Sequence, residues 1–162
     1  MKIQDIQLLF EYNDWANQRI LAMAEQVSLE QLTMPKVFGW GSLRGELVHV
    51  MDAEYAWREL LQNGIHIEEL SPEDFGDVAA IRERWQQENE ALRAYLHSLT
   101  DEDMLGTIHY EAFDRQYNRI LWYCLLHVVN HGTQHRSVCA AILTDFGFSP
   151  GDIDFTRFLS SR

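Results

Sequence analysis

Residues 119–146 read RILWYCLLHVVNHGTQHRSVCAAILTDF, and the spacing within this stretch decides the fold. It reads as one long helix, with Gly147 suited to the residue just past its end. His127, His131 and His135 recur inside it at intervals of four, three of the seven histidines in the chain. On an α-helix, positions four apart differ by ~40° in direction and ~6 Å along the axis. His131 and His135 can therefore turn their rings toward one ion. His127 and His135 stand ~12 Å apart along the axis, so one helix supplies two ligands comfortably. With metal–nitrogen bonds near ~2.1 Å, a third ligand has to come from another element.

Working outward, three more segments carry the helical rhythm. In residues 3–26, Ile6, Leu9, Phe10, Ala16, Ile20 and Met23 fall on one face, leaving Glu11, Asp14 and Arg19 for solvent. Pro35 and Gly39 break the chain after it. Ser42 then offers an N-cap for a second helix, LRGELVHVMDAEYAWRELLQ, which ends near Asn63-Gly64. A third helix carries Val78, Ile81, Trp85, Leu92, Leu96 and Leu99 and stops at Thr100-Asp101. The stretch between the second and third, GIHIEELSPEDFGD, is too broken by Gly and Pro to continue either helix, and its length need not make a tight hairpin but suits a crossover joining parallel helices. Ile108 and Tyr110 alternate with polar residues, which fits a short β-hairpin before the last helix. The tail is expected to pack back through Phe155, Phe158 and Leu159. These elements predict an all-α four-helix bundle with a long crossover, one domain over residues 1–162.

Composition narrows the function classes. Hydrophobic residues make up 46% of the 162, ordinary for a soluble globular protein. The net charge of −12 repels phosphate backbones, so nucleic acid is not an expected partner. The N-terminus has no apolar run of a secretory signal, and no stretch reaches the ~20 apolar residues of a membrane span. A cytoplasmic protein is expected. Cys124 and Cys139 lie ~22 Å apart on one helix, too far for a disulfide, and read as buried free thiols.

The candidate third ligand is His49 on the second helix, on the face of Ala53 and Ala56, whose small side chains leave room for a cavity. Three neutral imidazoles plus water suit zinc, nickel or another late first-row metal. A lone histidine on an apolar face is ordinarily a hydrogen-bonded core residue, so His49 gains meaning only with the pair. His66, His97 and His109 fall in connections or near helix ends and are expected in solvent. Two sharper motifs fail. A zincin needs Glu after its first histidine, where this chain has Gly132 after His131. A di-iron bundle needs two E-x-x-H motifs; Glu46 to His49 is one, but Val128 stands three before His131. Neither a G-x-S-x-G elbow nor a phosphate-binding glycine loop is present.

Taken in order, YNDWANQRIL, GSLRGELVHVMDAEYAW, HVVNHGTQHRS and the ending DFTRFL resemble the DinB/YfiT-like superfamily of metal-binding four-helix bundles, over the full length. The resemblance implies a divalent metal, commonly nickel or zinc, held by three histidines. Carried over by position, these are His49, His131 and His135, which selects between the 127/131 and 131/135 pairs that geometry leaves open. His127 then lines the pocket or orients a neighbour by a hydrogen bond. The resemblance further implies a homodimer and a small-molecule substrate, with low-molecular-weight thiols used by several related groups.

The expected chemistry is a metal-dependent hydrolase or thiol transferase, in which an ion lowers the pKa of water or a thiol toward ~7. The other reading is a non-catalytic, metal-stabilised binding or dimerisation module. No general base is nominated. Asp52 and Glu54 follow His49 closely but are expected in solvated or helix-stabilising roles, and Trp57 is a candidate pocket wall or core residue.

Overall fold

The computed structural model describes residues 1–112 and 114–162. Four long helices form the bundle: α1 (Ile3–Ala24), α3 (Leu43–Asn63), α4 (Val78–Ser98) and α5 (Leu121–Asp145). Two one-turn helices, α2 (Leu29–Thr33) and α6 (Phe155–Leu159), brace the ends. An antiparallel hairpin of β1 (Thr107–Ala112) and β2 (Arg115–Ile120) precedes α5, with Tyr110 opposite Tyr117. The termini follow the local chemistry. Ser42 caps α3 by accepting from the Gly45 amide at 3.0 Å, and left-handed Gly64 closes it. Asp77 caps α4 by accepting from the Ala80 amide at 2.9 Å.

Contacts fix the topology. Glu54 meets Trp85, Arg58 meets Glu88 and Leu61 meets Tyr95, positions that rise together, so α3 and α4 run parallel. Parallel neighbours cannot be joined by a short turn, which is why residues 64–77 form the expected crossover. Glu46 meets His135 while His49 meets His131, so α5 runs antiparallel to α3. Asp14 meets Asn89 and Gln7 meets Leu96, so α1 runs antiparallel to α4.

The apolar core has two halves. One gathers Ile20, Leu47, Met51, Ile81, Trp85 and Leu143; the other gathers Ile6, Phe10, Leu92, Leu96, Leu125 and Val128. Each fully buried side chain of this size contributes about 1.5–3 kcal/mol. Between the halves each helix contributes buried polar residues: Asn13 and Asn17 from α1, Glu54 and Arg58 from α3, Glu88 from α4 and Arg136 from α5. Helical periodicity alone does not distinguish this polar layer from the apolar stripe around it.

The tail differs in one residue from expectation. Phe158 is buried and packs on Tyr12 and Trp15, but Leu159 is exposed, because the single turn of α6 turns only one side to the bundle. Cys124 and Cys139 are both buried free thiols. Among the described residues, no helix is long and apolar enough to cross a membrane.

Candidate metal centre

The antiparallel pairing of α3 and α5 sets the level at which their side chains meet. His49 comes from the second turn of α3, and His131 and His135 from successive turns of α5. One ligand atom from each lies within 4.8 Å of the other two. The Nε2 atoms of His131 and His49 are 3.0 Å apart. Two nitrogens ~2.1 Å from one ion, at right or tetrahedral angles, are separated by ~3.0–3.4 Å, so this spacing suits a shared ion. An all-imidazole set also matches the preferences of late first-row divalent metals. The residues present fit the implied group.

Electrostatics favour the same conclusion. Burial, followed by the neighbouring His135 and His131, lowers the His49 pKa to about 4. Burial, with His135 and His127 nearby, lowers His131 to about 4 as well. Both rings are therefore neutral near pH 7, with lone pairs free to coordinate. All three rings are half-buried rather than sealed.

Glu46 organises one side of the cluster. It is 1% exposed, and its Oε2 accepts a hydrogen bond from His135 Nδ1 at 2.9 Å. That bond places the proton on Nδ1 and leaves Nε2 as the coordinating atom. Oε1 of the same carboxylate accepts from the Trp40 amide at 2.6 Å. The Trp40 ring in turn stacks on His49, with centroids 3.9 Å apart and planes 19° from parallel. Gly39 adopts φ +59°, and a Cβ there would overlap the Glu46 carboxylate. A glycine at 39 is what lets this loop close onto Glu46. Sequence reasoning assigned Glu46 no part once the di-iron pattern failed; the E-x-x-H spacing was the available signal.

His127 lies one turn before His131, its ring centroid 5.7 Å away. Among the described residues it makes no hydrogen bond to the cluster, and it packs edge-on against Trp57 at 5.2 Å. Both residues line a cleft of about 260 Å³ with Tyr110, Arg119, Tyr123 and Cys124. Trp57 is thus a pocket wall, and it is also packed against the core. His66, His97 and His109 are exposed, with His109 paired to Asn118.

Asp52 and Glu54 depart from expectation, since neither is solvated. Asp52 is 7% exposed and accepts from the Leu70 amide at 3.0 Å, which pins the crossover to α3. Glu54 is 3% exposed, receiving Asn13 and Asn17 on Oε1 at 2.6 and 3.0 Å and Trp85 Nε1 on Oε2 at 2.7 Å. The same two asparagines accept from Arg136 through their Oδ1 atoms at 2.5 and 3.0 Å. Burial pushes the Glu54 pKa up, opposed by these donors and by the Arg136 charge. Partners on α1, α4 and α5 hold both charges inside the bundle, and none of them is near Glu54 in sequence.

A family model described as the DinB family matches residues 2–162. The chain belongs to the DinB family. It is 25% identical over 168 residues to Protein DinB of Bacillus subtilis (strain 168), covering 93% of this chain and 91% of that protein. The crystal structure of a DinB-like protein from Bacillus cereus ATCC 10987 shares its fold, with a TM-score of 0.73 at 18% identity, covering 93% of this chain and 97% of the other. Family membership and the convergence of His49, His131 and His135 together describe a cluster compatible with a divalent metal ion.

Proposed function

We propose that this DinB-family protein is a metal-dependent enzyme acting on a small molecule, as a hydrolase or thiol-dependent transferase, with His49, His131 and His135 as ligands to one nickel or zinc ion. The observation that carries this reading is the convergence of three half-buried imidazoles, one helical turn along α5 from a cleft lined by His127 and Trp57. When bound, such an ion supplies Lewis acidity and an activated nucleophile at neutral pH. The chain's own residues do the rest. Glu46 fixes the tautomer of His135, Trp40 covers one face of His49, and Trp57 with His127 shapes the approach. A site with three protein ligands retains a position for substrate, which separates a catalytic centre from a closed structural one.

Turnover tests the proposal directly. Metal-loaded protein is assayed with a panel of low-molecular-weight thiols against electrophilic and ester substrates. Activity that needs the ion and disappears in His131→Ala supports the enzyme. A full panel without turnover, from protein whose ion exchanges no exogenous ligand, favours the metal-stabilised module instead. The homodimer implied by the sequence resemblance is part of the same proposal, and sedimentation equilibrium resolves it.

A further inference from the structure

The cleft beside the histidine cluster is more specific than an apolar hollow. Its volume of about 260 Å³ falls just below the ~300–1,000 Å³ of pockets that take drug-sized ligands, so it suits a smaller molecule. Its walls are flat. Trp57 packs edge-on to Tyr110 at 5.6 Å and to His127 at 5.2 Å, and Tyr110 stacks on Tyr117 at 5.3 Å. Rings in this arrangement present faces and edges that favour a planar apolar body.

Among the six lining residues only Arg119 carries a fixed charge. The chain as a whole carries −12, so long-range attraction does not bring anions here and a local cation has to hold them. Arg119 has no carboxylate partner among the described residues. Its Nη1 donates to the Asn118 carbonyl at 3.2 Å, and the guanidinium lies over the Tyr117 ring at 5.1 Å. That leaves further N–H groups of its planar fork to face a ligand carboxylate. The hairpin places it there: Arg119 is the penultimate residue of β2, and Cys124 and His127 follow on the first two turns of α5.

From this arrangement we propose that the cleft binds a small carboxylate-bearing molecule with a planar apolar body, its carboxylate on Arg119 and its body against Trp57 and Tyr110. The remainder of the ligand passes His127, whose ring nitrogens have no protein partner among the described residues, and reaches the histidine cluster one helical turn further on. The inference deepens the enzymatic reading by naming the substrate class, and it rests on that reading for the reaction itself. Arg119 is a specificity-determining residue in this scheme.

Ligand-observed NMR titration with 3-phenylpropanoate and its uncharged amide, 3-phenylpropanamide, tests it in full-length protein with and without chelator. The carboxylate binds about tenfold more tightly than the amide. Arg119→Gln removes that difference and leaves the amide unchanged, while Trp57→Leu weakens both. Arg119 is exposed on the hairpin, so its replacement does not endanger the fold, and circular dichroism checks this. Carboxylate binding that depends on Arg119 in chelated protein or in His49→Ala/His131→Ala supports the cleft even where the metal reading fails. Equal binding of acid and amide, or carboxylate binding that survives Arg119→Gln and vanishes on chelation, overturns it, since the acid then sits on the ion alone.

Discussion

Two polar clusters share the middle of α5 and point opposite ways. Arg136 faces inward with Asn13, Asn17 and Glu54, and His131 and His135 face His49 and Glu46 across the outer side of the same turns. In the inner cluster most polar atoms are matched: each asparagine donates its amide N–H to Glu54 and accepts from Arg136 through its carbonyl, while Arg136 Nε is left without a partner among the described residues. In the outer one, ring nitrogens of His49, His131 and His135 converge within 4.8 Å of one another, and burial keeps His49 and His131 neutral near pH 7. A network so largely satisfied spends its polar groups on the fold. A cluster of convergent ring nitrogens is compatible with a divalent ion. Gly132 shows how closely the inner cluster is built, because a Cβ there would stand 2.7 Å from Arg136 Nη1 and 2.8 Å from Asn13 Oδ1.

The sharpest way to break this contrast is to remove the inner cation. Arg136→Ala leaves Glu54 buried with asparagine donors but no charge partner, and a loss of about 3–5 kcal/mol is expected. Replacing both, as Arg136→Met with Glu54→Leu, is expected to cost less than either single change, because no buried charge is left behind. Urea unfolding in the presence of chelator measures both. A loss below about 1 kcal/mol for Arg136→Ala removes the case for a structural layer.

The outer cluster should respond in metal content instead. His131→Ala and His49→Ala are each expected to lose the stoichiometric ion retained by the parent protein. The half-buried rings make the metal-free fold nearly indifferent to either change. What disappears is the stabilisation by bound ion, about 2.7 kcal/mol at a free concentration of one hundred times Kd. Elemental analysis with melting curves decides the point, and full metal retention in both variants sinks the ligand assignment.

How much of this was legible varies with the range of the interaction. The four long helices, the crossover and the hairpin follow from caps, period and alternation, all local signals, whereas the choice of His131 and His135 with His49 came from the family resemblance, the i, i+4 spacing leaving two pairs open. Gly64 and Ser42 mark the ends of α3 where their chemistry says they should. The inner layer was not legible. Glu54 is polar on a helix, and only Trp85, 31 residues on, and Asn13, 41 residues back, reveal that it is buried. Asp52 was misjudged for the same reason, its partner being a backbone amide in the crossover. Asp14, expected to be free for solvent, instead meets Asn89 and Arg93 on α4.

Glu46 lies between the two classes, buried like the inner layer but serving the outer cluster. Both of its partners are donors, the Trp40 amide and His135 Nδ1. Glu46→Gln keeps the shape but sets an NH₂ against one of them. Metal affinity is expected to fall by about 10–100-fold while occupancy at saturating metal is retained. Competition with a chromogenic chelator measures the change, and an unaltered Kd excludes Glu46 as the residue that orients His135.

The smallest expected effect separates the clusters by pH in metal-free protein. His49 and His131 each have a folded pKa of about 4, lowered mainly by burial, against a reference value of 6.5. Between these values the unfolded chain binds more protons than the folded one, so stability rises with pH. The stabilising contribution is therefore fully present above ~6.5 and is lost as pH falls toward ~4. Solvent reaching half-buried rings screens these shifts, leaving about 1 kcal/mol for the pair. Carboxylates titrate over the lower part of the same range, so the informative quantity is the difference between parent and His49→Ala/His131→Ala, followed by urea midpoints from pH 5 to 7 with chelator present. The parent curve should be the steeper, because only its rings must shed protons to fold. Adding the ion should steepen it again, since protons and metal then compete for the same nitrogens. Parallel curves for the two proteins in chelator would mean that the rings titrate freely in the folded state, and the outer cluster would lose the neutral lone pairs on which its contrast with the inner one depends.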